Sequence, residues 1–157
     1  MYAGAATLAV IAMDQASKAW MRHFLPVEGG VYPLIPGCLQ LTHRRNPGIA
    51  FSMFDSHAWA PAVFAVIALA AALAIGWIVW HNRAMPRLLA TAMGLVAGGA
   101  LGNMIDRVHP PFMVVDFIDC YLGRYHWPAF NVADSAICIG VGALLLAHLV
   151  WPSSAQK

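Results

Sequence analysis

The chain has 157 residues, of which 61% are hydrophobic and 10% charged, and its net charge is +2. Soluble domains run at about 45–50% apolar and about 25% charged residues, so this chain has too few polar groups to cover its apolar surface in water. The small net charge and the absence of a basic stretch interleaved with aromatics exclude a nucleic-acid surface; lipid is the solvent the composition fits.

About 20 apolar residues cross a bilayer as a helix. The first such stretch, 2–24, is interrupted by Asp14, Lys18 and Arg22. Asp14 and Lys18 are four apart, so they share a helical face and can pair. The segment reads as a membrane helix rather than a cleavable signal, because its start is uncharged and no small-residue cleavage site follows. The connection 25–58 contains alternating Leu39, Leu41 and His43, a period-two strand signal, after Pro33, Pro36 and Gly37. It predicts a small sheet on the membrane surface, followed by a short interfacial helix near 52–60.

The stretch 59–80 has no charge and carries a tryptophan at each end, where interfacial belts favour it. Next comes 88–105, in which Gly94, Gly98 and Gly102 recur every four residues and allow close helix packing. After a connection over 106–128, the last stretch spans 129–151 and holds Asp134, placed past its first turn. The expectation is an all-α integral membrane protein of one domain, 1–157: a four-transmembrane-helix bundle with a small β-sheet platform. Both termini then share a side with the short loop 81–87, and the two long connections lie opposite. Arg83, Arg87 and Lys157 suit a cytoplasmic side, but Arg44, Arg45, Arg107 and Arg124 outnumber them on the long connections. Charge therefore leaves the orientation open.

Ionisable groups in membrane segments are costly unless they face partners or water. Here they cluster at one end of the bundle. Asn103, Asp106 and Arg107 stand at i, i+3 and i+4, and Asn131, Asp134 and Ser135 repeat that spacing. Asp116 lies between them in apolar surroundings, Val114-Val115-Asp116-Phe117. The plainer readings are a helix-start carboxylate for Asp134, a loop carboxylate tied to Arg107 or Arg124 for Asp116, and an ion pair for Asp106–Arg107. Asp55 and Asp119 read as solvated loop charges. Cys138 reads as a buried thiol; Cys38 and Cys120 fall in loops and could meet. The seven histidines show no metal-ligand spacing with the cysteines.

Two carboxylates held close share a proton. The ionised one draws a proton from water while the protonated one hydrogen-bonds the carbonyl under attack, chemistry that requires neither a metal nor a serine nucleophile. No GxSxG elbow argues for covalent catalysis. A transporter would place its charges nearer mid-membrane and carry a repeat, which this chain lacks. A non-enzymatic assembly factor would explain the glycines but not the Asp/Asn/Arg groups.

Five blocks, Asp14-Gln15-Ala16-Ser17-Lys18, Asn46-x-Gly48-x-Ala50-Phe51, Gly98-Gly99-Ala100-Leu101-Gly102-Asn103-x-x-Asp106-Arg107, Val114-Val115-Asp116-Phe117 and Phe130-Asn131-x-Ala133-Asp134-Ser135, resemble in order the motifs of the bacterial lipoprotein signal peptidase (signal peptidase II) family. The resemblance implies a monomeric, cofactor-free aspartyl endopeptidase of the inner membrane. It also implies four helices, cytoplasmic termini and an active site near the outer leaflet. Its substrates would be diacylglyceryl-modified prolipoproteins, cut just before the lipidated cysteine, and globomycin-type inhibitors would occupy the same cleft. By motif position Asp116 and Asp134 are the catalytic pair. Asn103, Arg107 and Asn131 line the substrate site, Asn46 and Gly48 come from the extracytoplasmic loop, and Asp14, Lys18 and Asp106 support the architecture. Pro47 departs from the threonine usual in the Asn-Thr-Gly motif.

Overall fold

A computed structural model describes residues 1–47 and 59–150. In chain order the elements are α1 (Tyr2–Phe24), β1 (Val31–Ile35), β2 (Leu39–Asn46), α2 (Ala60–His81), α3 (Arg87–Val108), β3 (Val114–Leu122), β4 (Tyr125–His126) and α4 (Val132–Val150). Among the described residues, α2, α3 and α4 are long and apolar enough to cross a membrane. At 23 residues α1 has comparable length, but it carries Asp14, Lys18 and Arg22. Gly48 and most of the expected 52–60 helix lie outside the described residues.

Helix α3 is the axis of the bundle, packing against α1, α2 and α4. Its small residues make this possible, since apolar attraction between helices is weak in lipid and close backbone approach replaces it. A Cβ on Gly98 would lie 2.8 Å from Val10 Cβ and 2.9 Å from the Thr7 carbonyl oxygen; at Gly94 it would collide with the Ala3 carbonyl. The Thr7 hydroxyl donates to the Gly94 carbonyl across the same seam at 3.0 Å. These contacts advance together along α1 and α3, so the two helices run parallel. Helix α4 runs the opposite way, with Ala133 against Gly99 and Gly140 against Ala92.

The four strands form one antiparallel sheet in the order β1-β2-β3-β4. The predicted strand near Leu39 is present, and it pairs with two that the alternation did not reveal. β1 is fully exposed and contains Pro33, which an edge strand tolerates because its free N–H side needs no donor. β3 replaces the expected loop around Asp116. It hides from a period-two reading because Val114 to Phe117 are buried on both faces. Leu41 pairs with Ile118 and Arg44 with Asp116, so β2 carries one extra residue in the interval. Met21 of α1 packs with Leu41, Val115 and Phe117, fixing the sheet to the helix ends.

Candidate active site

The site is built from α1 inward. Lys18, fully buried, holds Asp14 Oδ2 at 2.8 Å and Asp106 Oδ2 at 2.7 Å. It donates a third bond, 2.9 Å long, to Asn103 Oδ1. Three acceptors match the three ammonium protons, which is the condition for burying the charge. Asp14 Oδ1 in turn accepts from the Ala133 amide at 3.0 Å, one of the free N–H groups at the start of α4.

This frame orients two asparagines. Lys18 can only donate, so it fixes which end of the Asn103 amide is oxygen. The amide nitrogen is left to donate to Asp134 Oδ1 at 2.7 Å. Asn131 stands just before α4. Its Oδ1 accepts from the Asp134 amide at 3.0 Å, while Asp134 Oδ2 accepts from the Asn131 amide at 3.1 Å. That reciprocal pair is a helix-capping arrangement. With its oxygen so engaged, the Asn131 amide nitrogen donates to Asp116 Oδ1 at 2.7 Å. The Asn46 amide donates to Asp116 Oδ2 at 3.0 Å. Each of the four carboxylate oxygens thus receives one donor from a different direction.

The two carboxylates line a single cavity of about 880 Å³ between α2, α3 and α4. Its polar end carries Asn46, Asn103 and Arg107, and its body is apolar, with Phe64, Ile67, Val96 and Ile139. The Arg107 guanidinium lies over the Phe64 ring at 5.7 Å and donates to the Asn103 carbonyl at 3.3 Å. Burial and then the charge of Asp134 push the Asp116 carboxyl up to about 6, although its amide donors pull the other way. Below about pH 6 such a pair holds one proton rather than carrying two charges.

The family model described as Signal peptidase (SPase) II matches residues 6–150. The chain belongs to the signal peptidase II family. A "Lipoprotein signal peptidase" from Desulforapulum autotrophicum is 42% identical, with 90% of this chain and 87% of that protein covered. One of the same name from Halalkalibacterium halodurans is 38% identical over 96% of this chain and 93% of its own length. A solved bacterial membrane enzyme superposes with a TM-score of 0.83 at 31% identity, covering 97% of this chain and 90% of the other.

Against this signal peptidase II frame, several sequence expectations change. Helix α4 begins at Val132, not at 129, because the Phe130 backbone pairs with Ile118 in the sheet. Asp134 therefore sits in the first turn, and it caps the helix as well as lining the cleft. Asp106 pairs with Lys18 rather than with Arg107; neighbours in a helix point about 100° apart, and Arg107 turns to the cleft. Asp119 is not a solvated charge but 1% exposed, accepting from Gln40 at 2.7 Å and contacting His126 Nδ1 at 3.0 Å. Its partners lie on β2 and β4, which only the sheet register brings together. Leu39, not Cys38, stands opposite Cys120, and both thiols are free. Cys138 is exposed beside the cleft, since an apolar helix in lipid need not bury its outer face.

Proposed function

We propose that this chain is an aspartyl endopeptidase of the bacterial inner membrane that removes signal peptides from diacylglyceryl-modified prolipoproteins. The observation that carries the reading is that Asp116 and Asp134 line one cavity, which has Asn46, Asn103 and Arg107 at its polar end and an otherwise apolar body. In this reading α1 is a fourth crossing. Its Asp14 and Lys18 are neutralised inside the bundle, and its remaining charge, Arg22, lies in the last turn at the sheet end. The termini are cytoplasmic, and the sheet and dyad lie at the outer leaflet.

The lipidated cysteine enters sideways between α2 and α4, its acyl chains staying against the apolar wall. The peptide ahead of it lies extended toward the sheet, where its carbonyls are accessible. One aspartate, ionised, takes a proton from a water as the water oxygen bonds to the scissile carbonyl carbon. The other, protonated, passes its proton to the carbonyl oxygen. The tetrahedral diol then collapses: one hydroxyl returns its proton to the ionised aspartate as the C–N bond breaks, and the departing nitrogen takes the proton held by the other aspartate. Asn131 and Asn46 hold Asp116 in place while Asn103 holds Asp134, and Arg107 faces the substrate backbone. Gly48 joins Asn46 in substrate binding in this reading. A globomycin-type inhibitor would fill the same cavity, and the protein acts as a monomer.

The test is incubation of detergent-purified protein with diacylglyceryl prolipoprotein. The reading predicts release of a product beginning at the lipidated cysteine, resistance to chelators and block by globomycin. Failure to cleave, or cleavage of unlipidated precursor at equal rate, contradicts it.

A further inference from the structure

At the end of the bundle opposite the sheet, a second cavity of about 880 Å³ lies on α3 between α1 and α2. Its floor runs along α3 from Ala90 to Leu101, and its walls include Leu8 and Ile75. At ~1.5 Å per helical residue that floor is ~16 Å long, about half the ~30 Å hydrocarbon thickness of a bilayer. The depth matches one lipid monolayer and falls short of what a partner transmembrane helix would cover. A Cβ at Gly76 would meet nothing within 4 Å, so α2 opens space into the groove instead of filling it.

Arg83 and Arg87 stand at the mouth. The Arg83 guanidinium lies over the Trp80 ring at 4.2 Å and that of Arg87 over the Tyr2 ring at 5.1 Å. A guanidinium over an aromatic ring keeps N–H donors for an anion, and its fork matches phosphate oxygens. The acidic residues of the chain are Asp14, Glu28, Asp55, Asp106, Asp116, Asp119 and Asp134. None falls in residues 1–13 or 72–101, the described segments that line this groove, so no acidic side chain of its lining faces these two cations.

We propose that this groove binds one anionic phospholipid, its phosphate on Arg83 and Arg87 and one acyl chain on α3 between α1 and α2. The site is separate from the catalytic cleft, but α2 borders both: Phe64 to Ala71 face the dyad cavity and Ala72 to Trp80 face this one. An occupant braces the lipid-exposed α2 against α3, and so supports the cleft wall from behind.

The test uses protein reconstituted in phosphatidylcholine nanodiscs with or without phosphatidylglycerol, released and weighed by native mass spectrometry. Wild type should retain one phosphatidylglycerol in preference to phosphatidylcholine. Two basic residues at a membrane surface contribute about 1 kcal/mol each, so Arg83→Gln/Arg87→Gln should lower that preference by about 30-fold. Gly76→Leu should expel the lipid with both arginines intact, and excess inorganic phosphate should not displace it from wild type. Equal retention of the two lipids by wild type overturns the proposal without recourse to any variant. Full retention by Gly76→Leu, or displacement by free phosphate, would also overturn it, because either leaves only a surface charge and no groove. Unfolding temperatures in phosphatidylcholine alone establish that the variants are folded.

Discussion

Replacing Lys18 by methionine removes the one cation buried among Asp14, Asp106 and Asn103. Methionine keeps much of the side-chain volume, so the effect is mainly electrostatic. The side chains of Asp14 and Asp106 are 0% and 5% exposed, and both lose their ammonium partner. Breaking a buried ion pair by deleting one member costs about 3–5 kcal/mol. At roughly 2–4 °C per kcal/mol for a chain of this size, the unfolding midpoint should drop by about 6–20 °C. The Asn103 amide also loses the donor that sets its orientation, so cleavage should fall more than unfolding alone accounts for. The assay is thermal unfolding in detergent beside cleavage at a temperature where the variant is still folded. Adding Asp14→Asn and Asp106→Asn to Lys18→Met should recover most of the midpoint, because neutral groups of similar shape carry no bare charge. A loss below about 1 kcal/mol, as at exposed pairs, would refute the buried-triad reasoning.

The Asp116 carboxyl has its ordinary value of 3.8 raised to about 6. A raised carboxyl favours the folded state below about 4, and that contribution is lost as pH rises through about 6. Asp116→Asn should therefore be more stable than wild type above pH 6, with the gain vanishing near pH 4 in pH-dependent unfolding scans. In the same pH range kcat/KM should decline on the alkaline side, and Asn46→Ala, which removes a bond that stabilises the ionised form, should move that limb to higher pH. Gly98→Leu should prevent α1 from seating on α3, seen as loss of folded protein on size exclusion, whereas Gly76→Leu should fold. Asp119→Ala removes the acceptor that Gln40 and His126 share; both side chains can turn to water, so global stability should change little while the β4 hairpin loosens, read as faster amide exchange at Trp127.

What was legible in the sequence was what local spacing encodes. Asp14 and Lys18 announce their pairing because a helix stacks residues four apart. The strand at Leu39 shows in its alternation, and the Gly94-Gly98-Gly102 seam shows in its period. Long-range closure is invisible at that level. Asp106 finds Lys18 on another helix, while the arginine beside it in sequence turns the other way. Asp119 is buried only because β2 and β4 bring Gln40 and His126 to it across the sheet. The start of α4 does not show, because Ala129 and Phe130 are as apolar as the helix they precede, yet the Phe130 backbone bridges to Ile118 of β3. Cys138 sits in an apolar run, which in water means burial, but a helix in lipid leaves it exposed at the cleft. The candidate pair itself stood out early, because carboxylates in apolar surroundings require a reason. Their positioning by Asn131, which caps α4 with one end of its amide and holds Asp116 with the other, needed the fold.

The most direct test of the central claim is cleavage of diacylglyceryl prolipoprotein by Asp116→Asn and by Asp134→Asn, each checked for native unfolding behaviour. Asparagine keeps the shape and most hydrogen bonds but can neither take the water's proton nor supply one. The account predicts that each single variant loses cleavage by several orders of magnitude, and that the double variant loses little more, since the two carboxylates act as a unit. Near-wild-type processing by either folded variant would contradict it.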